Sequence, residues 1–180
     1  MRATRSCTLL TSVLVIALIQ GCAHYVVTQN LTVPLGTGQS CLIGDITESL
    51  PADVDDEDKP PMSDLDEFRS FLKEALEKKN ICLSSSETTG KPDCEITGNI
   101  LEYKRGSGAV RVLIGFGLGN AKITIEMKLR NIATGEIAFA GNFKQSVSSG
   151  YESGLEMYRR VAKDFAKELS NQQKKLIGSL

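Results

Sequence analysis

Residues 122–143 read KITIEMKLRNIATGEIAFAGNF. Ile123, Ile125, Met127 and Leu129 alternate with Lys122, Thr124, Glu126, Lys128 and Arg130. Successive side chains of a strand point to opposite sides, so this period of two predicts a strand with one face to a core and one to water. Asn131 to Gly135 (NIATG) has turn chemistry, and Ile137, Phe139, Gly141 and Phe143 continue the inward set on a returning strand. Together they predict an antiparallel hairpin of about ten residues a side.

Upstream, residues 94–105 (CEITGNILEYKR) predict another strand, with Gly98 inside it. Tyr25–Val33 predicts a first strand closed by Pro34, and Cys41–Ile46 a short buried one. Leu65, Phe68, Phe71, Leu72, Ala75 and Leu76 recur at steps of three and four, which predicts an amphipathic helix facing a core. Ser63 is its expected cap and Asn80 its stop. A last helix is expected from about Tyr151 to Lys174, burying Leu155, Tyr158, Val161, Ala162, Phe165, Ala166 and Leu169. The order of elements predicts an α+β sandwich. A single domain over residues 25–176 would carry a mixed, mostly antiparallel sheet of about five strands with two main helices on it.

The N-terminus has a different character. Arg2 and Arg5 precede an apolar run from Cys7 to Ile19, too short for a bilayer span of roughly 20 residues but suited to a signal peptide. The run ends in Leu18-Ile19-Gln20-Gly21-Cys22, which resembles the bacterial lipobox. Residues 1–21 are then the expected signal peptide and residues 22–24 a tether, lipidated at Cys22. That lipid is covalent, and no cofactor is expected. Acyl chains contribute about 0.8 kcal/mol per buried methylene, enough for stable membrane attachment. Ala23 lacks the Asp that resembles an inner-membrane retention signal, so the expected location is the outer membrane, on its periplasmic face.

Of 180 residues, 21 are basic and 22 acidic. Without residues 1–21 the chain keeps 159 residues, with 19 basic and 22 acidic groups and a net charge of −3. That balance argues against nucleic acid as a partner and against an anionic-membrane binder, each of which needs a basic face. Residues 50–63 (LPADVDDEDKPPMS) read as a solvated acidic loop. Calcium is not the expectation there, because an EF-hand loop counted from Asp53 would need Gly and Glu where Asp58 and Asp64 stand. The spacing of Cys41, Cys82 and Cys94 matches no zinc signature. In an oxidising compartment Cys82–Cys94 is the first expectation for a disulfide, with three buried thiols as the alternative.

Chemistry is sparse. The one histidine, His24, lies two residues from Cys22, so no imidazole is on hand for acid–base or metal work. In the serine clusters Ser84-Ser85-Ser86 and Ser146-Val-Ser148-Ser149, none sits in a G-x-S-x-G or S-x-x-K setting. Gly115-Phe-Gly-Leu-Gly119 feeds a strand rather than a helix, which removes the dipole a phosphate needs. Val112, Leu113, Ile114, Phe116 and Leu118 are either buried or form a partner-docking loop within 109–119. The expectation is a non-enzymatic interaction module with an envelope protein partner. The alternative is a carrier with a small-ligand or lipid cavity between sheet and helices.

Gly98 to Lys144, with its basic residue, apolar run and Gly-Phe-Gly-x-Gly signature before a long strand, resembles the core of an uncharacterised bacterial lipoprotein family known as a domain of unknown function. That resemblance implies a lipid anchor and no assigned activity. Leu129–Ile137 is similar to the hairpin turn of the curli-secretion lipoprotein, whose relatives share an α/β domain compared with the N-terminal domain of TolB. This implies a fold of that type and not a pore, since the hairpins that line that channel have no counterpart here.

Overall fold

A computed structural model describes residues 25–32, 35, 39–54, 59–81, 83–84, 91–105, 121–147 and 154–178. Cys22, Cys82, Tyr151 and the segment 112–118 lie outside the described residues. The elements are β1 (Tyr25–Gln29), β2 (Ser40–Glu48), α1 (Met62–Glu77), β3 (Leu83–Ser84), β4 (Cys94–Lys104), β5 (Ala121–Asn131), β6 (Ile137–Val147) and α2 (Gly154–Gly178). The sheet order is β1-β6-β5-β4-β2-β3. The pairs β1–β6, β6–β5 and β5–β4 are antiparallel; β4–β2 and β2–β3 are parallel. Five strands carry the sheet and β3 adds two residues at one edge, so the fold is the expected mixed, mostly antiparallel α+β sandwich.

The hairpin behaves as its pattern requires. Ile123, Ile125, Met127 and Leu129 of β5 are fully buried. Ile125 lies between Ile100 of β4 and Phe143 of β6. In the turn, the Asn131 carboxamide oxygen accepts the amides of Ala133 (2.9 Å) and Thr134 (3.1 Å), and Gly135 takes a φ of 73° that favours glycine. One expectation fails here. Ile137 points outward, because β6 carries a bulge at Ala138: Leu129 faces Phe139, but Arg130 faces Ile137.

Both helices cover one face of the sheet. Leu65, Phe68, Leu72, Ala75 and Leu76 of α1 pack against Met157, Tyr158, Val161, Ala162, Phe165, Ala166 and Leu169 of α2 and the inward strand residues. Phe139 and Phe143 meet the edge of the Phe165 ring at 5.9 and 5.6 Å, and Phe68 meets Tyr158 at 5.4 Å. Gly98 faces this layer, where a Cβ would come within 2.9 Å of Ile46 Cδ1 and 3.3 Å of Met127 Sδ. Every residue of the buried core falls between Leu31 and Leu169.

Two boundaries differ from expectation. Pro61, not Ser63, occupies the N-cap of α1 and no side chain caps it; Ser63 already lies in the first turn. Its far end stops as expected, with Asn80 at a φ of 52°. β1 ends at Gln29 rather than Val33, after a bulge at Thr28. Leu31 then turns into the core.

The disulfide is also not the expected one: Cys94 bonds Cys41 instead of Cys82. β2 and β4 run parallel with Cys41 and Cys94 in direct register, Cα atoms 4.8 Å apart, within the range a disulfide needs. The bond closes a stretch of 53 residues that contains α1. Chain-entropy reasoning gives such a loop about 4 kcal/mol of stabilisation. Peptide mapping of the oxidised chain is expected to recover Cys41 linked to Cys94. Cys41→Ser/Cys94→Ser should unfold at clearly lower denaturant than the oxidised chain. A Cys82–Cys94 peptide would reject the pairing.

Tyr158 is fully buried and its hydroxyl has no hydrogen-bond partner among the described residues, while burial pushes its pKa well above the ordinary phenol range. An unpaired buried hydroxyl costs roughly 1–3 kcal/mol. Tyr158→Phe is therefore expected to raise the melting temperature by a few degrees, and a fall would mean that the hydroxyl is satisfied.

Candidate functional site: the helix-free face and the entry strand

The second face of the sheet carries the polar set of each strand. Glu95, Thr97 and Asn99 of β4 stand opposite Arg130, Lys128 and Glu126 of β5. After a bulge at Leu101, Glu102 and Lys104 come onto the same face opposite Thr124 and Lys122. β6 adds Asn142, Lys144 and Ser146, and β1 adds Val26, which is 66% exposed. A depression of about 270 Å³ on this face is lined by Asp45, Thr47, Thr97, Gly98, Asn99, Glu126 and Lys128.

Charge on this face is unevenly compensated. Toward the hairpin turn, Arg130 pairs with Glu95, and Lys128 reaches Glu126 at 2.7 Å. At the other end of the strands one carboxylate serves several cations. Lys122 Nζ reaches Glu102 at 2.5 Å, and the Thr124 hydroxyl donates to Glu102 at 3.1 Å. The Lys122 hydrogen bond holds the Glu102 carboxyl below its usual range and raises Lys122 in turn. Lys104 stands directly opposite Lys122, and Lys144 opposite Thr124. No carboxylate among the described residues forms an ion pair with Lys104, Arg105 or Lys144.

The chain enters the fold beside this corner. Tyr25, at the start of β1, pairs with Phe143 and stacks on its ring at 5.3 Å. Its hydroxyl donates to the buried Glu168 of α2 at 2.8 Å. Gln172 donates to the same carboxylate at 2.8 Å and to Asn30 at 3.0 Å, and Gln173 donates to the Leu35 carbonyl at 2.9 Å. A polar seam therefore fastens the N-terminal strand and the segment after it to the C-terminal helix. Glu168 and Gln172 were not anticipated as part of a site. Their signal was present, since each stands three residues after a buried Phe165 or Leu169 on the apolar stripe.

A family described as Domain of unknown function (DUF4410) matches residues 48–176. The chain belongs to that family. The matched stretch of this DUF4410 chain runs from the end of β2 through most of α2. No curated protein matches the sequence. Among solved structures, a PelC dodecamer from Paraburkholderia phytofirmans is 11% identical, with a TM-score of 0.54 over 81% of this chain and 97% of that one. A second crystal form gives 12% and 0.51, over 78% and 95%. At that identity the likeness is one of fold. A minor lipoprotein from Acinetobacter baumannii is 19% identical with a TM-score of 0.30, over 71% and 90%.

The hydrogen bond to Glu168, followed by burial and the Glu168 charge, pushes the Tyr25 pKa up to about 12. A native pKa above the unfolded value of about 10 means that this stabilisation is complete below pH 10 and lost as pH rises through 12. The stability difference between the native chain and Tyr25→Phe should therefore be flat up to about pH 9 and shrink between pH 10 and 12. A difference that did not change over that range would show that the phenol does not donate to Glu168.

Proposed function

We propose that this chain is a lipid-anchored envelope lipoprotein whose domain acts as a non-enzymatic interaction module. The observation that carries the reading is the closeness of Cys22 to the fold. Tyr25 is already locked between Phe143 and Glu168. By chain length alone the two residues between, Ala23 and His24, leave Cys22 within about 10 Å of it. An exported, processed chain would hold its domain against the membrane with almost no linker. The outer membrane, on the periplasmic face, is the proposed location, resting on Ala23 after the lipobox cysteine.

Support for an interaction role comes from the layout of the strands. β4 ends at Lys104 and β5 begins at Ala121, so the connecting segment leaves and rejoins the sheet at the end where Tyr25 begins. Val112, Leu113, Ile114, Phe116 and Leu118 belong to that segment, and a partner it meets would lie at the membrane surface. The carrier reading has less support. Phe68, Tyr158, Phe139, Phe143 and Phe165 fill the layer between sheet and helices where a lipid cavity would be needed.

Metabolic labelling with a palmitate analogue is expected to mark the native chain and not Cys22→Ser; equal labelling would end the anchoring reading. In-cell crosslinking should capture an envelope protein that is lost with Phe116→Asp while the melting temperature is kept. Crosslinks only between copies of the chain would redirect the reading to self-assembly.

A further inference from the structure

The corner of the helix-free face beside the entry strand has an excess of cations that no local partner explains. Lys104 and Lys122 are cross-strand neighbours, and Lys144 lies one diagonal step from Lys122. Like charges placed directly opposite across strands are destabilising. Arg105 extends the group, and Glu102 is the one carboxylate among these side chains. The corner also holds the highly exposed Val26 on the neighbouring entry strand. The rest of the face is different, because Lys128 and Arg130 each have a carboxylate.

Its position relative to the anchor matters as much as its charge. Tyr25 pairs with Phe143, the residue next to Lys144. In the order β1-β6-β5-β4, Lys144 stands one strand spacing from the entry strand, Lys122 two and Lys104 three, the last about 14 Å away at 4.8 Å per strand. The sequence expectation against anionic membranes rested on the net charge, whereas the registers gather these lysines at one corner of the open face.

We propose that Lys104, Lys122 and Lys144, with Arg105 and Val26 beside them, form a surface that rests on the anionic phospholipid headgroups of the membrane to which Cys22 is tethered. The proposal rests on the anchoring reading for its setting but is tested without the lipid. A weak electrostatic contact gains greatly when a short tether confines it to the surface, and one lipid signal plus a basic patch is a recognised combination. The contact turns this corner of the open face to the bilayer.

A chain beginning at Ala23 retains every buried core residue and serves as the test protein. Its sedimentation is measured with vesicles of equal parts phosphatidylcholine and phosphatidylglycerol, and with phosphatidylcholine alone. Binding is expected on the anionic vesicles, weakening as salt rises. A lysine near an anionic surface is worth about fivefold in affinity, so Lys104→Gln/Lys122→Gln/Lys144→Gln should lose about a hundredfold. Lys104→Gln/Lys144→Gln leaves the Lys122–Glu102 pair intact and should lose about 25-fold. Lys174→Gln/Lys175→Gln, at the far end of α2, should lose nothing. Equal binding to both vesicles, or equal losses in the corner and control variants, would overturn the proposal. Because Cys22 is absent from this protein, its outcome is separate from that of the labelling experiment.

Discussion

The parity of β5 is the constraint on which the other elements depend. Ala121, Ile123, Ile125, Met127 and Leu129 all face the helices, with Lys122, Thr124, Glu126, Lys128 and Arg130 on the opposite side. A slip of one residue would place five charged or polar side chains against Phe165 and Leu169, so the register has no near competitor. Its neighbours accommodate that parity by bulging. Leu101 in β4, Ala138 in β6 and Thr28 in β1 are each the extra residue at a point where the register shifts. Each bulge resets which residues face water beyond it. The positions of Glu102, Lys104 and Ile137 on the open face follow from these resets.

β2 joins by a different route. It pairs with β4 in parallel, and its register shifts between Ile43 and Ile46. The Cys41–Cys94 bond pins the start of both strands and fixes the pair before the shift. The edges are blunted: β1 is five residues long and bulged, β3 covers the start of β2, and the Gly44–Asp45 irregularity follows. Such edges discourage strand addition, which favours the open face and the strand ends as the contact surfaces.

What was legible in the sequence follows the range of each signal. The alternation in β5 and the stripes of α1 and α2 are local, and the structure has them in place. Met157 joins the stripe that Leu155 was expected to start, a shift of half a turn at a helix end. The disulfide was misread because proximity in sequence favours Cys82–Cys94, whereas the bond follows strand register set by a parallel crossover. Ile137 was misread because a bulge leaves no trace in an apolar alternation. The open-face corner was hidden for a further reason: Lys104, Lys122 and Lys144 are spread over 40 residues and come together only through two antiparallel registers. Net charge averages such a group away.

The polar seam on α2 holds the entry strand beside that corner. A lipid on a long linker holds a domain near a membrane but leaves its orientation free. Here Tyr25, three residues after Cys22, is held by a ring stack on one side and a buried carboxylate on the other. Glu168 is itself held by Gln172, and Gln172 by Asn30, so β1 cannot pivot without breaking a chain of hydrogen bonds that is buried at Glu168 and half-buried at its ends. A buried carboxylate stripped of its donors costs more than the bonds themselves contribute, which makes the seam resist local opening. The stiffness of that junction would turn the proposed attachment at Cys22 into a defined face toward the bilayer.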